Sequence, residues 1–203
     1  MKTKKHYIRR APDKCSDLTY KYLVSLLPKK LSGKLLDLGC YKGYLRNYLP
    51  TSVKYVGLDI DKWFPGIVIH DLNKGKLPFK NKKFDYVVAS NILEHLFYPD
   101  KILKEMRRVL KPGGIAIITL PNDEGIGHKL TGQFGLFTSI EPFEQQKYKH
   151  HWIFSLKTAK DFISREFKIV EIKTFNGMIL GKLDFILKHF PRLCTDFYFK
   201  VIK

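Results

Sequence analysis

Apolar positions along this chain of 203 residues change their period from segment to segment, and each period points to an element. Leu18, Tyr22, Leu23, Leu26 and Leu27 recur at helical spacing, with Ser16 placed to cap that helix and Pro28 to end it. The run Leu35-Leu36-Asp37-Leu38 is a short, nearly continuous apolar stretch of the kind buried strands show. A second helix is expected after Gly43, burying Leu45, Tyr48 and Leu49 and stopped by Pro50. Residues 53–58, 67–69 and 86–89 read as strands. Pro99 stands where a first-turn proline belongs, and Ile102, Leu103, Met106, Val109 and Leu110 give the following helix one apolar face. Lys111-Pro112-Gly113-Gly114 then turns the chain into a strand over 115–120. Farther on, Ser155 or Thr158 opens a helix burying Ala159, Phe162 and Ile163, and 168–172 is a strand. Leu183, Ile186, Leu187 and Phe190 form an amphipathic stretch, and 197–202 is a final strand.

Strands alternating with helices or connecting segments call for an α/β fold: an open, mostly parallel sheet with helices on its faces. The length suits one domain over 1–203, since domains run to roughly 100–200 residues. Within it, 1–15 is expected to be a loose basic arm and 174–196 a variable insert. The connection over 123–151 exceeds the ~12–15 residues usual for a structureless loop, so a lid or substrate loop is expected there.

Composition narrows this only a little. The formal net charge is +18, spread as +8 over 1–34, +6 over 35–122 and +4 over 123–203. Thirty of the 37 cations are lysine, whereas base-edge and phosphate recognition leans on the planar fork of arginine. A diffuse lysine excess is the pattern of a solvated surface, with peripheral membrane contact as a second use. The cysteines Cys15, Cys40 and Cys194 match no zinc or redox spacing, so no metal site and a reduced, cytoplasmic setting are expected. No apolar run approaches the ~20 residues of a membrane span, and no apolar core follows the basic N-terminus as in a signal peptide.

Ligands of open α/β sheets bind beyond the C-terminal ends of the strands. The first strand is followed by Gly39-Cys40-Tyr41-Lys42-Gly43, where glycine permits close backbone approach and a tight turn. The second ends in Gly57-Leu58-Asp59-Ile60, whose acid lies about 20 residues past the glycine loop, as suits a ribose diol. The third is followed by His70-Asp71-Leu72 and the fourth by Ser90-Asn91-Ile92-Leu93-Glu94-His95. A dinucleotide would require G-x-G-x-x-G, but Tyr41 and Tyr44 stand at two of the three glycine positions.

These motifs together resemble those of class I S-adenosylmethionine-dependent methyltransferases, from about residue 34 to 122. Leu35 to Gly43, Val56 to Ile60, Asp71-Leu72, Leu77-Pro78-Phe79, Phe84-Asp85-Tyr86 and Arg108 to Gly114 carry the resemblance. It is strongest toward the branch of ubiquinone- and menaquinone-biosynthesis enzymes and small glycan-cluster methyltransferases, which His150-His151-Trp152-Ile153-Phe154 also fits. Membership implies a Rossmann-like sheet of seven strands with the last antiparallel, and S-adenosyl-L-methionine as cofactor. It implies cofactor contacts from Asp37, Gly39, Cys40 and Gly43, from Asp59 and Ile60, from Asp71 and Leu72, and from Asn91. Tyr41 departs from the family, which has glycine there.

A hydroxyl acceptor needs a general base, most often histidine, which singles out His95 and, ahead of the last helix, His150 or His151. His95 and His151 are the two catalytic candidates carried forward. The expected acceptor is small, or lipid- or glycan-linked. Nucleic acid is the less favoured partner: where enzymes acting on base amino groups carry Asn/Asp-Pro-Pro-Tyr/Phe, this chain has Ser90-Asn91-Ile92-Leu93. A non-catalytic scaffold of the same fold is the third alternative, with Tyr41 its one hint.

Overall fold

The computed structural model describes residues 14–122, 150–175 and 196–203. The chain runs α1 (Lys14–Ser25), β1 (Gly33–Leu38), β2 (Val53–Asp59), β3 (Val68–Ile69), β4 (Phe84–Ser90), α2 (Pro99–Val109), β5 (Leu110–Pro121), α3 (Leu156–Ile163), β6 (Lys168–Phe175) and β7 (Asp196–Ile202). One seven-stranded sheet has the order β3-β2-β1-β4-β5-β7-β6. Strand β7 is antiparallel to both of its neighbours, and the rest run parallel, as expected.

Because successive side chains of a strand point to opposite faces, each apolar run divides between two cores. Leu35, Val88, Ile117 and Tyr198 pack with Leu23, Leu26 and Leu27 at the end of α1. Leu36, Leu38, Val87, Ala89, Ala116 and Ile118 pack instead with Ile102, Leu103 and Met106 of α2 and with Ala159, Phe162 and Ile163 of α3. Helices therefore cover both faces.

Three local expectations are corrected. Helix α1 begins at Lys14, so Ser16 lies inside it and does not cap it. The segment after Gly43 is a 3-10 turn over Tyr44–Tyr48 and not an α-helix, with Leu45 alone fully buried. The few residues between the left-handed Gly43 and Pro50 are too short a run to repay helix nucleation. Strand β5 starts at Leu110, five residues early. Leu110 pairs with Phe84 and Ile115 with Tyr86, so Lys111-Pro112-Gly113-Gly114 forms a bulge opposite Asp85.

Asp85 closes this N-terminal edge of the sheet. Its carboxylate accepts from Lys34 N at 2.8 Å and Lys111 Nζ at 2.6 Å. Although partial burial opposes it, the Lys111 ammonium helps hold the carboxyl below its ordinary range. Arg108 performs a similar service for the loop before β4. It forks onto Glu105 at 2.7 and 2.6 Å and donates to the carbonyls of Leu77 and Phe79. Two of the motif segments are thus scaffold at the end of the sheet away from the strand termini that bind ligands. The arm over 1–15, the lid over 123–151 and the insert over 174–196 fall wholly or mainly outside the described residues.

Candidate active site

Strand order reverses at β1, with β2 on one side and β4 on the other, and the crevice beyond such a reversal is where open α/β sheets bind ligands. The loop leaving β1 is left-handed at alternate positions: φ is +66° at Gly39, +47° at Tyr41 and +68° at Gly43. Tyr41 therefore takes a left-handed conformation that favours glycine, at a cost of roughly 1–2 kcal/mol for an L-residue. Its ring packs edge-on against Trp63, with centroids 4.5 Å apart, which offsets part of that cost. Gly39 and Gly43 are fixed by their neighbours. A Cβ on Gly39 would stand 2.6 Å from Ile92 Cγ1, and one on Gly43 would stand 2.7 Å from the ring of Phe64.

The loop is tied to the next strand. The amides of Gly39 and Cys40 both donate to the carbonyl of Leu58, at 2.9 and 3.1 Å. Asp59, ending β2, accepts from Tyr41 N at 2.8 Å and from Asp61 N and Trp63 Nε1, each at 3.2 Å. Three donors hold the carboxylate in one orientation and leave little of its capacity of about four lone-pair sites. Ile60, next to it, is exposed.

Beneath the loop lies a buried polar group. Asp37 accepts from Tyr55 Oη at 2.7 Å, and Cys40 packs above Gly57. Burial, with a smaller contribution from the Asp59 charge, pushes the Asp37 carboxyl up to about 7. Burial likewise pushes the Cys40 thiol up to about 12, which makes it inert, and raises the Tyr55 phenol.

After β3, Asp71 caps the 3-10 turn Leu72–Lys74 by accepting from Asn73 N at 2.9 Å, and Leu72 is buried. The Nε2 of His70 is a buried polar atom without a partner. After β4, Asn91 has φ +45° and its side chain is engaged: Oδ1 accepts from Thr119 Oγ1 at 2.7 Å and Nδ2 donates to Asp196 Oδ1 at 3.0 Å. Asn91, exposed at the end of β4, thus also clasps β4 to β5 and β7.

The two histidine candidates part company. His95, half-buried in the turn Leu93–His95, has its Nε2 3.9 Å from Glu94 Oε1 and its ring edge-on to His150, centroids 4.8 Å apart. His151 is exposed and lies against Phe97, ring centroids 4.5 Å apart. The structure thus joins His95 to His150 and to the buried Glu94, a residue that lies in the segment after the fourth strand but was given no role from the sequence. Trp63 and Phe64, which hold Asp59 and the glycine loop, were also missed, since nothing local in the sequence marks them.

A family model described as a methyltransferase domain matches residues 7–167. A probable S-adenosylmethionine-dependent methyltransferase of Mycolicibacterium smegmatis is 26% identical over 159 residues, 74% of this chain and 58% of that protein. A demethylmenaquinone methyltransferase of Staphylococcus carnosus is 33% identical over 118 residues, 50% of this chain and 47% of that protein. The chain thus spans about half to three-fifths of the length of these relatives. A S-adenosylmethionine-dependent methyltransferase from Archaeoglobus fulgidus superposes with a TM-score of 0.67 at 18% identity, covering 92% of this chain and 94% of that one. A matched sequence model over most of the chain and a superposing fold agree: the chain belongs to the methyltransferase-domain family, with the fold of the class I S-adenosylmethionine-dependent enzymes.

Proposed function

We propose that this chain transfers a methyl group from S-adenosylmethionine to a small or lipid- or glycan-linked acceptor. The observation that carries the proposal is the convergence beyond β1, β2 and β3: a left-handed glycine loop hydrogen-bonded to Asp59, with Asp71 on the adjacent strand end.

The residues present fit that cofactor. The loop is free of side chains at Gly39 and Gly43, so its backbone at Gly39, Cys40 and Gly43 would face the methionine part. Asp59 keeps about one lone-pair site to accept from a ribose hydroxyl, with Ile60 beside it. Asp71 has a second carboxylate oxygen that takes no hydrogen bond from the described residues, and with Leu72 it would frame the adenine. The orphaned Nε2 of His70 next to Asp71 is a polar atom that a ligand would satisfy. When bound, the cofactor supplies a methyl group made electrophilic by a sulfonium. The chain's own part is position: Tyr41 N, Asp61 N and Trp63 Nε1 fix Asp59 before any ligand arrives, which removes an ordering cost from binding.

The acceptor class is supported by an apolar rim beside this crevice. Phe97, Tyr98, Trp152 and Ile153 are all exposed, from 46% to 72%. They come from two segments held together by Trp152 Nε1 donating to Leu96 O at 2.9 Å. Exposed aromatic surface beside a polar site suits an apolar acceptor better than a phosphate backbone. Incubating the protein with methyl-labelled cofactor and three pools (demethylated quinones, glycans and total RNA) tests this. Label in a quinone or glycan is the expected result; label confined to RNA would contradict it.

A further inference from the structure

We propose that Glu94, His95 and His150 form a binding site for one divalent transition-metal ion. One ligand atom from each residue lies within 4.8 Å of the others. Among them, Glu94 Oε1 and His95 Nε2 are 3.9 Å apart. Ligands of a shared ion at ~2.1 Å stand about 3–3.4 Å from one another, so small side-chain rotations complete the site.

The backbone brings the ligands together on purpose-built contacts. Glu94 and His95 sit in one 3-10 turn at the end of β4. The segment carrying His150 docks on that turn: the carbonyl of Glu94 accepts from both His151 N at 2.8 Å and Trp152 N at 3.3 Å. Trp152 Nε1 adds its bond to Leu96 O. These contacts lock residues 55 positions apart in one register, so the third ligand does not depend on a free loop finding the other two. Glu94 is only 1% exposed, and a buried carboxylate is stable when it pairs with or ligates a cation.

Two imidazoles and one carboxylate are a donor set for zinc, manganese or iron, whereas magnesium and calcium prefer oxygen alone. Three protein ligands leave positions open, as in catalytic rather than structural metal sites. The apolar rim at Phe97 and Trp152 flanks the cluster. An acceptor oxygen would occupy an open position, where the cation stabilises its conjugate base and the hydroxyl proton passes to solvent water. That role rests on the acceptor reading above; the binding of the ion does not. No metal was expected from the sequence, because only the cysteine spacing was weighed there.

The test uses the full-length chain, freed of any affinity tag and dialysed against chelator. Zinc and manganese are titrated by calorimetry, with magnesium as the control, and the ion retained after gel filtration is counted by mass spectrometry. The expected result is one zinc or manganese per chain, with affinity at least tenfold weaker in both His150→Ala and Glu94→Gln. Cofactor binding is measured on the same samples and should persist in His150→Ala, which shows that the variant is folded. Failure of zinc and manganese to bind, or binding unchanged in His150→Ala, overturns the site while leaving the methyltransferase reading standing. Loss of cofactor binding by the wild-type chain with metal binding intact does the reverse.

Discussion

At the scale of single residues, the most informative groups are those whose chemistry is at odds with their surroundings. Asp37 is a carboxylate among apolar side chains, and burial raises it to about 7, above the ~3.9 of an unfolded chain. Between those values the folded state holds a proton that the unfolded state releases. Stability therefore falls as pH rises through this window, by about 1.4 kcal/mol per pH unit from this group. Asp37→Asn removes the titration while keeping an acceptor for Tyr55. Urea unfolding at pH 5 and pH 8 should show the variant gaining about 3 kcal/mol on the wild type between the two; an equal difference at both would mean that Asp37 is ionised throughout. Gly39, Asp59 and Asp71 could be placed at strand ends from the sequence because the apolar runs before them set those ends, whereas Asp37, inside β1, entered only through the resemblance. The conformation of Tyr41 was not legible: a left-handed tyrosine is an exception, made acceptable here by packing on Trp63, and packing of that kind leaves no periodic trace.

Elements were legible where apolar period and end signals agreed. Pro99 and the face of Ile102, Leu103, Met106 and Val109 specify α2 without help from the rest of the chain. Besides the start of α1, the failures were at segments too short for period to decide, the Tyr44–Tyr48 turn and the bulge at Lys111-Pro112-Gly113-Gly114. Helix α3 shows how a local signal serves the site. Ser155 and Thr158 form a reciprocal capping box that starts the helix directly after the segment of His150 and Trp152. Ser155→Ala should lower stability by about 1 kcal/mol through the lost cap. Urea unfolding measures this, and an unchanged midpoint would show that α3 is held by Phe162 and Ile163 alone. The meeting of Glu94 with His150 has no such signal, since it depends on two distant segments docking.

For the molecule as a whole, the two cores set the geometry of function. Packing α1 on one face and α2 and α3 on the other leaves the strand ends of β1, β2, β3 and β4 as the place where polar groups gather. The opposite end is closed by Asp85 with Lys34 and Lys111, so the motifs recognisable in the sequence divide into a chemical end and a structural end. The net charge of +18 does not mark either end, and its densest part lies in the N-terminal segment. The central claim is that the loop from Gly39 to Gly43 together with Asp59 binds S-adenosylmethionine. Calorimetric titration of the cofactor into the wild-type chain and into Asp59→Ala tests it most directly. The account predicts saturable binding of one cofactor per chain, weakened at least tenfold, or ~1.4 kcal/mol, in the variant. No measurable binding by the wild type, or equal affinity in both, would contradict it.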